Sequence, residues 1–216
     1  MTRSELAQMI DHTLLEPAAT GADIRRLCQE ARAYGFGAVC VYPCFVQLAV
    51  CELKGTLVKV ATVVSFPSGA ASSRIKAAEA EAAVSDGAQE LDLVLNIGAM
   101  KAGRFDYVEA EIAAVVQQAG RVPVKVILET CYLSSAEIIT ACKLAVRAGA
   151  RFVKTSTGFG PGGARPEQVR LMRQTVGPNI GVKAAGGIKS YAEAMTMIEA
   201  GACRIGTSSG VQIITE

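Results

Sequence analysis

The chain has 216 residues, 50% of them hydrophobic and 19% charged, with 21 glycines and 5% aromatics. That apolar share excludes a disordered chain and can supply the core of one large domain or two small ones. Lys+Arg 22 against Asp+Glu 20 leaves a formal charge of +2, too balanced for the electrostatic footprint of a nucleic-acid or acidic-membrane partner.

The seven cysteines (28, 40, 44, 51, 131, 142 and 203) are odd in number, form no C-x-x-C pair and share the chain with one histidine, His12. A structural zinc site is therefore not expected, and the metal expectation is none. Residues 1–8 hold no long apolar segment, so no secretory signal is expected. No uncharged apolar run reaches the ~18 residues that span a bilayer. These features predict a reduced, cytoplasmic protein.

In chain order, the elements follow a repeat. Gly35, Gly87, Gly149 and Gly201 each close a stretch of helical period, and each is followed by a short apolar run. A glycine there suits the left-handed position that ends a helix. The runs are too short for helices and too apolar for surface loops, so they read as buried strands. Strands are predicted at 10–13, 38–42, 57–66, 90–96, 122–129, 152–155, 180–184 and 204–207. Helices follow at 21–34, 45–54, 73–86, 105–119, 135–148, 166–176, 191–200 and from 208 to the end. Ser134 with Glu137 and Ser190 with Glu193 form S-x-x-E capping signals, and Pro166 suits a first helical position.

Strict alternation of strand and helix implies a parallel sheet, and eight units suggest the closed (β/α)8 TIM barrel, an α/β fold. Alternation alone also admits an open, doubly wound sheet. No linker or composition break divides residues 1–216, so they read as a single domain, with a helical extension before the first strand and a short C-terminal end.

In such a barrel, chemistry sits at the C-terminal ends of the strands. Counting five residues on from the four glycines lands on Cys40, Asp92, Lys154 and Gly206, which the repeat places at equivalent heights. Lys59 and Lys125 enter their strands early, which puts them nearer the bottom. Lys154 and Lys183 leave neighbouring strands at the top. Two lysines facing one buried site lose affinity for protons through mutual repulsion and desolvation, and a neutral amine is the nucleophile that forms a Schiff base. The competing reading is a pair of strand-end lysines reaching solvent.

Asp92 interrupts an apolar strand, as a proton-transfer group or as the partner of a structural ion pair. Asp11 and Glu129 are weaker candidates for the same cluster. His12 reads as structural, and Cys40 as a small core residue beside the pocket. Gly186-Gly187-Ile188-Lys189-Ser190 and Gly206-Thr207-Ser208-Ser209-Gly210 leave the last two strands, where barrels usually hold phosphate.

Several segments together resemble the class I deoxyribose-phosphate aldolases. They are Ile10-Asp11-His12-Thr13-Leu14-Leu15, Phe66-Pro67-Ser68-Gly69-Ala70, Glu90 to Gly98, Val124 to Thr130, Phe152-Val153-Lys154-Thr155-Ser156-Thr157-Gly158-Phe159, Gly181 to Ile188 and Arg204 to Ser209. They run in family order over nearly the whole chain, and the Lys154 segment is the most specific.

The resemblance implies reversible cleavage of 2-deoxy-D-ribose 5-phosphate to D-glyceraldehyde 3-phosphate and acetaldehyde, without a cofactor. It assigns the Schiff base to Lys154, its perturbation to Lys183 and proton relay to Asp92. Asp11, Cys40, Thr157 and Gly158 are expected to line the substrate pocket. Gly186, Gly187, Lys189, Gly206, Ser208 and Ser209 are expected at its phosphate end. Phe159 stands where some members have a lysine, which removes one possible phosphate contact. The expected partners are a small phosphorylated sugar and acetaldehyde, with a homodimer or homotetramer as the assembly. Another Schiff-base phosphosugar aldolase and a non-catalytic phosphosugar-binding barrel are the alternatives. A barrel of this class typically needs ~250 residues. The economy falls at residues 208–216, too few for a long last helix or for the tyrosine-bearing tail of some family members.

Overall fold

The glycines that end the helices set the repeat of the fold. In the computed structural model, which describes residues 1–216, Gly87, Gly149 and Gly201 have φ of +100°, +92° and +110°. Each N–H bonds the carbonyl three residues back: Val84, Val146 and Ile198 respectively. The following alanine, Ala88, Ala150 or Ala202, bonds the carbonyl five back. This is the Schellman closure, whose left-handed residue strongly favours glycine. The alanine after it is buried each time, so the shared Gly-Ala opening both stops a helix and turns the chain into the next strand.

A short helix α1 (Arg3–Gln8) precedes β1 (Ile10–Leu14), α2 (Gly21–Tyr34), β2 (Ala38–Val41) and α3 (Val46–Glu52). There follow β3 (Lys59–Val64), α4 (Ser73–Ser85), β4 (Glu90–Val94), α5 (Ile97–Lys101), α6 (Phe105–Ala119) and β5 (Val124–Ile127). The chain closes with α7 (Ser135–Arg147), β6 (Phe152–Lys154), α8 (Pro166–Val176), β7 (Gly181–Ala185), α9 (Tyr191–Glu199), β8 (Arg204–Thr207) and α10 (Gly210–Thr215). Every strand pairs in parallel with the next, and β8 pairs with β1. The sheet is therefore a closed TIM barrel and not an open doubly wound one.

The eight strands and their helices stand where the sequence puts them, most with trimmed ends, while β1 and β7 each reach one residue further at their C-terminal ends. The third strand stops at Val64 because Ser65 takes φ +54°, and the fifth stops before Glu129, at φ +52°. The extra helix α5 was not expected; Asn96 starts it by accepting from the Ala99 N–H. Reciprocal capping boxes close the starts of α7 and α9 through Ser134–Glu137 and Ser190–Glu193, as expected. No helix is long and apolar enough to cross a membrane.

Strand residues alternate between two interiors. Leu91, Leu93, Val126, Val153, Val182 and Ile205 face outward into one apolar layer with Ile24, Ile112, Ile138 and Met172 of the helices. The alternate residues fill the barrel. The pairing register climbs two residues for every second strand, as a closed, tilted eight-stranded barrel requires. It stacks the inward residues in layers of four. The lowest is Ala38, Glu90, Phe152 and Arg204, and the next is Asp11, Ala61, Lys125 and Lys183. The third is Cys40, Asp92, Lys154 and Gly206, the same four residues that counting from the glycines selects. Branched apolar residues usually dominate these layers; here seven of the twelve positions are charged.

Candidate active site

The charged layers form one connected network. Asp92 receives Lys154 Nζ at 2.7 Å and Lys183 Nζ at 2.8 Å on Oδ2, and Lys125 Nζ at 2.7 Å on Oδ1. Lys183 also reaches Asp11 Oδ2 at 2.5 Å, and Lys125 reaches Glu90 Oε2 at 2.7 Å. Below them, Arg204 bonds Asp11 Oδ1 at 2.7 Å and Glu90 Oε1 at 3.3 Å. The three lysines and the two aspartates are buried. Charges withdrawn from water this fully are stable only when mutually paired.

The geometry ranks the lysines. Lys125 lies within 4 Å of three carboxylates (Asp11 at 3.6 Å, Glu90 and Asp92), Lys183 of two, and Lys154 of Asp92 alone. Burial pulls all three ammoniums toward neutrality. Asp92, Asp11 and Glu90 outweigh it at Lys125, and Asp11 with Asp92 at Lys183, so both are held above the usual lysine range. At Lys154 burial wins: its single carboxylate is shared, Lys183 repels it, and its pKa is lowered. Burial would raise Asp92, but Lys125, Lys154 and Lys183 together hold it well below the usual carboxylate range. Asp11 is likewise depressed, by Lys183, Lys125 and Arg204 against burial. Lys183 is thus held as a cation, and Lys154 is the amine of the three that holds its proton least tightly.

Lys154 also opens upward. A cleft of about 240 Å³ is lined by Lys154, Thr13 and Ala185, the turn Thr157–Phe159, the turn Gly186–Lys189, and Gly206 to Ser208. Gly186 and Gly187 take φ of +90° and +81°, which turns the chain sharply after β7. Thr207 Oγ1 donates to the Ile188 carbonyl at 2.7 Å and ties the two glycine loops together. Gly206 leaves room for a neighbour: a Cβ there would meet Lys183 Cε at 2.9 Å.

Several expected residues take other places. Asp11 and Cys40, expected to line the pocket, lie beneath it. Asp11 is fully buried with both oxygens occupied, and Cys40 packs against Leu15, Ala61 and Val63. Burial pushes the Cys40 thiol up to about 11, so it stays protonated. Ser209 is set back from the cleft, its N–H donating to Thr207 Oγ1. Lys125, expected near the bottom, sits in the middle layer because the strand tilt lifts the second residue of β5 to mid-barrel. Lys59 is exposed. His12 faces outward and pairs with Glu30 at 2.6 Å, a structural contact.

Two participants were missed, Glu90 and Arg204, and Glu129, a weaker candidate for the cluster, stands outside it on Thr157. Glu90 and Arg204 stand two residues before Asp92 and Gly206, and that spacing puts them on the same inward face. Glu129, buried in a left-handed backbone conformation, accepts from both the N–H and the hydroxyl of Thr157. It thereby holds the turn that carries Thr157 and Gly158 over Lys154. No three His, Cys, Asp or Glu side chains gather as a metal-binding group.

Comparison with known proteins agrees with this architecture. The family model described as "DeoC/LacD family aldolase" matches residues 5–216. The deoxyribose-phosphate aldolase of Caldanaerobacter subterraneus subsp. tengcongensis is 59% identical over 98% of this chain and 93% of its own. That of Thermococcus gammatolerans is 58% identical over 99% and 97%. Among solved structures, the tetrameric deoxyribose phosphate aldolase of Aeropyrum pernix superposes with a TM-score of 0.93 at 35% identity, covering 99% of this chain and 91% of that one. The chain belongs to the DeoC/LacD aldolase family.

Proposed function

We propose that this protein reversibly cleaves 2-deoxy-D-ribose 5-phosphate to D-glyceraldehyde 3-phosphate and acetaldehyde through a Schiff base on Lys154. The observation that carries the reading is the position of Lys154. It is the one amine of the buried network that faces the cleft, has a single shared carboxylate and has a lowered pKa.

The neutral Lys154 amine adds to the substrate aldehyde, and loss of water gives an iminium that acts as an electron sink. A base takes the proton of the C3 hydroxyl, the C2–C3 bond breaks, and its electron pair moves into the iminium. Glyceraldehyde 3-phosphate departs and leaves an enamine on Lys154. Protonation of the enamine carbon, then addition of water, releases acetaldehyde and restores the amine. Asp92, 2.7 Å from Lys154 Nζ, moves these protons with a water molecule, and Lys183 keeps Asp92 ionised between turnovers. Thr157 and Gly158 hold the sugar. Gly186, Gly187, Lys189, Gly206 and Ser208 form the phosphate end, with Ser209 behind them bracing the loop through Thr207. No cofactor or metal enters these steps. The seven cysteines are all unpaired, which suits a cytoplasmic setting, and we read the assembly as a homodimer or homotetramer.

The test is a retro-aldol assay with 2-deoxyribose 5-phosphate, coupled to detection of glyceraldehyde 3-phosphate. Turnover is expected. Tight binding without turnover would overturn the proposal in favour of a binding barrel. Turnover only with ketone or larger aldehyde donors would overturn it in favour of another phosphosugar aldolase.

A further inference from the structure

The buried network is unequal in charge. Its acids are Asp11, Glu90 and Asp92, three in all; its bases are Lys125, Lys154, Lys183 and Arg204, four in all. With every group ionised it carries one positive charge in excess, and it is neutral when one base loses a proton. Arginine does not release its proton in proteins, and Lys125 and Lys183 each keep at least two carboxylates. The remaining base is Lys154. Its neutrality is thus a property of the whole count, including the lowest layer, where Arg204 and Glu90 lie two layers beneath the cleft.

No other ionised group enters the barrel. From β2 comes Cys40, a protonated thiol, and from β3 only Ala61 and Val63. Glu129, at the end of β5, is occupied by Thr157. Glu16 and Lys189 stand exposed at the cleft mouth, where water screens them.

We infer that Arg204 and Glu90 are positioning residues of opposite sign, which set from the barrel floor the charge state in which Lys154 meets its substrate. Neither reaches the cleft. Arg204 acts through Asp11, Lys183 and Asp92; Glu90 acts through Lys125 and Asp92. Removing the Arg204 charge leaves three acids and three lysines, a set that is neutral with Lys154 protonated. Removing the Glu90 charge leaves two acids against four bases and drives the proton off Lys154 more strongly.

This inference rests on the Schiff-base reading, and the experiment separates the two. The rate at which borohydride traps acetaldehyde on the protein is measured against pH for the unaltered chain, Glu90→Gln, Arg204→Gln, the double variant and Arg204→Lys. The acid limb of the profile is expected to move down by about one pH unit in Glu90→Gln and up by about one in Arg204→Gln. It is expected to return to its original place in the double variant and to stay there in Arg204→Lys. A purely structural role would lower the rate in both single variants without opposite displacements of the limb. Equal limbs in all five proteins, or limbs that move the same way in both single variants, would overturn the inference while leaving the Schiff base intact. Failure of the unaltered chain to be trapped would overturn the Schiff-base reading and this inference with it. If one single variant fails to fold, the sign of the other and the return of the limb in the double variant decide the question.

Discussion

Two buried lysines of this barrel bear the same penalty of burial and end with different roles. Lys76, on α4, lies between the helices and the sheet, and Lys154 lies inside the barrel. Burial lowers the pKa of both; Glu111 and then Glu79 oppose it at Lys76, and Asp92 is the carboxylate that opposes it at Lys154. Lys76, however, has Glu111 to itself at 2.6 Å and donates to the Val94 carbonyl at 2.9 Å. The remaining Glu111 oxygen accepts from Ser73 and Tyr107. That pair is closed: both side chains are shut away from solvent and neither partner is shared with another cation. Lys154 shares its carboxylate with two stronger claimants and opens on a cleft. A lowered pKa alone therefore does not mark a reactive lysine; competition for the counter-charge and access to substrate do.

The largest effect that would sharpen this contrast is expected from Lys154→Leu. Turnover should fall by roughly 10⁴-fold or more, while thermal unfolding stays close to the unaltered protein because three acids and three bases remain. Collapse of the fold would show that Lys154 is structural after all.

Lys76→Met should do the reverse. It strands the buried Glu111 without a counter-charge and should destabilise the fold by about 3–5 kcal/mol in urea unfolding. The protein that remains folded should keep its turnover. The double variant Lys76→Met/Glu111→Leu should recover most of that loss, since an apolar pair can replace a buried ion pair. A loss of turnover at unchanged stability would break the comparison.

Acid tests the network as a whole. Asp11 and Asp92 have folded pKa values depressed below their unfolded ones. Their contribution to stability is fully present above the unfolded carboxyl value of about 4 and is lost as pH falls through and below it. Urea midpoints should hold between pH 7 and 5 and drop below pH 4, by about 1.4 kcal/mol per pH unit for each group. A flat response down to pH 2 would contradict the pairing described. The smallest effect is expected at an exposed pair. Arg147→Ala removes the contact with Glu109 at 2.6 Å and should leave the same urea midpoint almost unmoved, because water screens an exposed pair.

The fold was legible because its punctuation is chemical: Gly87-Ala88, Gly149-Ala150 and Gly201-Ala202 can stop a helix only through a left-handed turn. The layer Cys40, Asp92, Lys154 and Gly206 followed from counting, since equal repeat lengths and uniform tilt bring equal positions to equal heights. The short helix α5 escaped because five residues carry no period. Lys125 enters its strand early, which in the sequence reads as a place nearer the bottom; only the register between strands shows that the tilt lifts it to Asp92. Glu90 and Arg204 escaped because strands buried on both faces hide which alternate residues point inward. Counting puts Cys40 in its layer and the cluster reading includes Asp11, but both lie beneath the cleft they are expected to line, because depth below the cleft depends on the side chains above them.

The central claim is that one amine alone is reactive, selected by the charge network. The direct measurement is peptide mapping after treatment with acetaldehyde and borohydride, which converts a Schiff base into an N-ethyl lysine. Selection of Lys154 by the network puts the ethyl group on Lys154 and none on Lys76, Lys125 or Lys183. An ethyl group on Lys183 or Lys76, or an unmodified Lys154 after treatment, would contradict it.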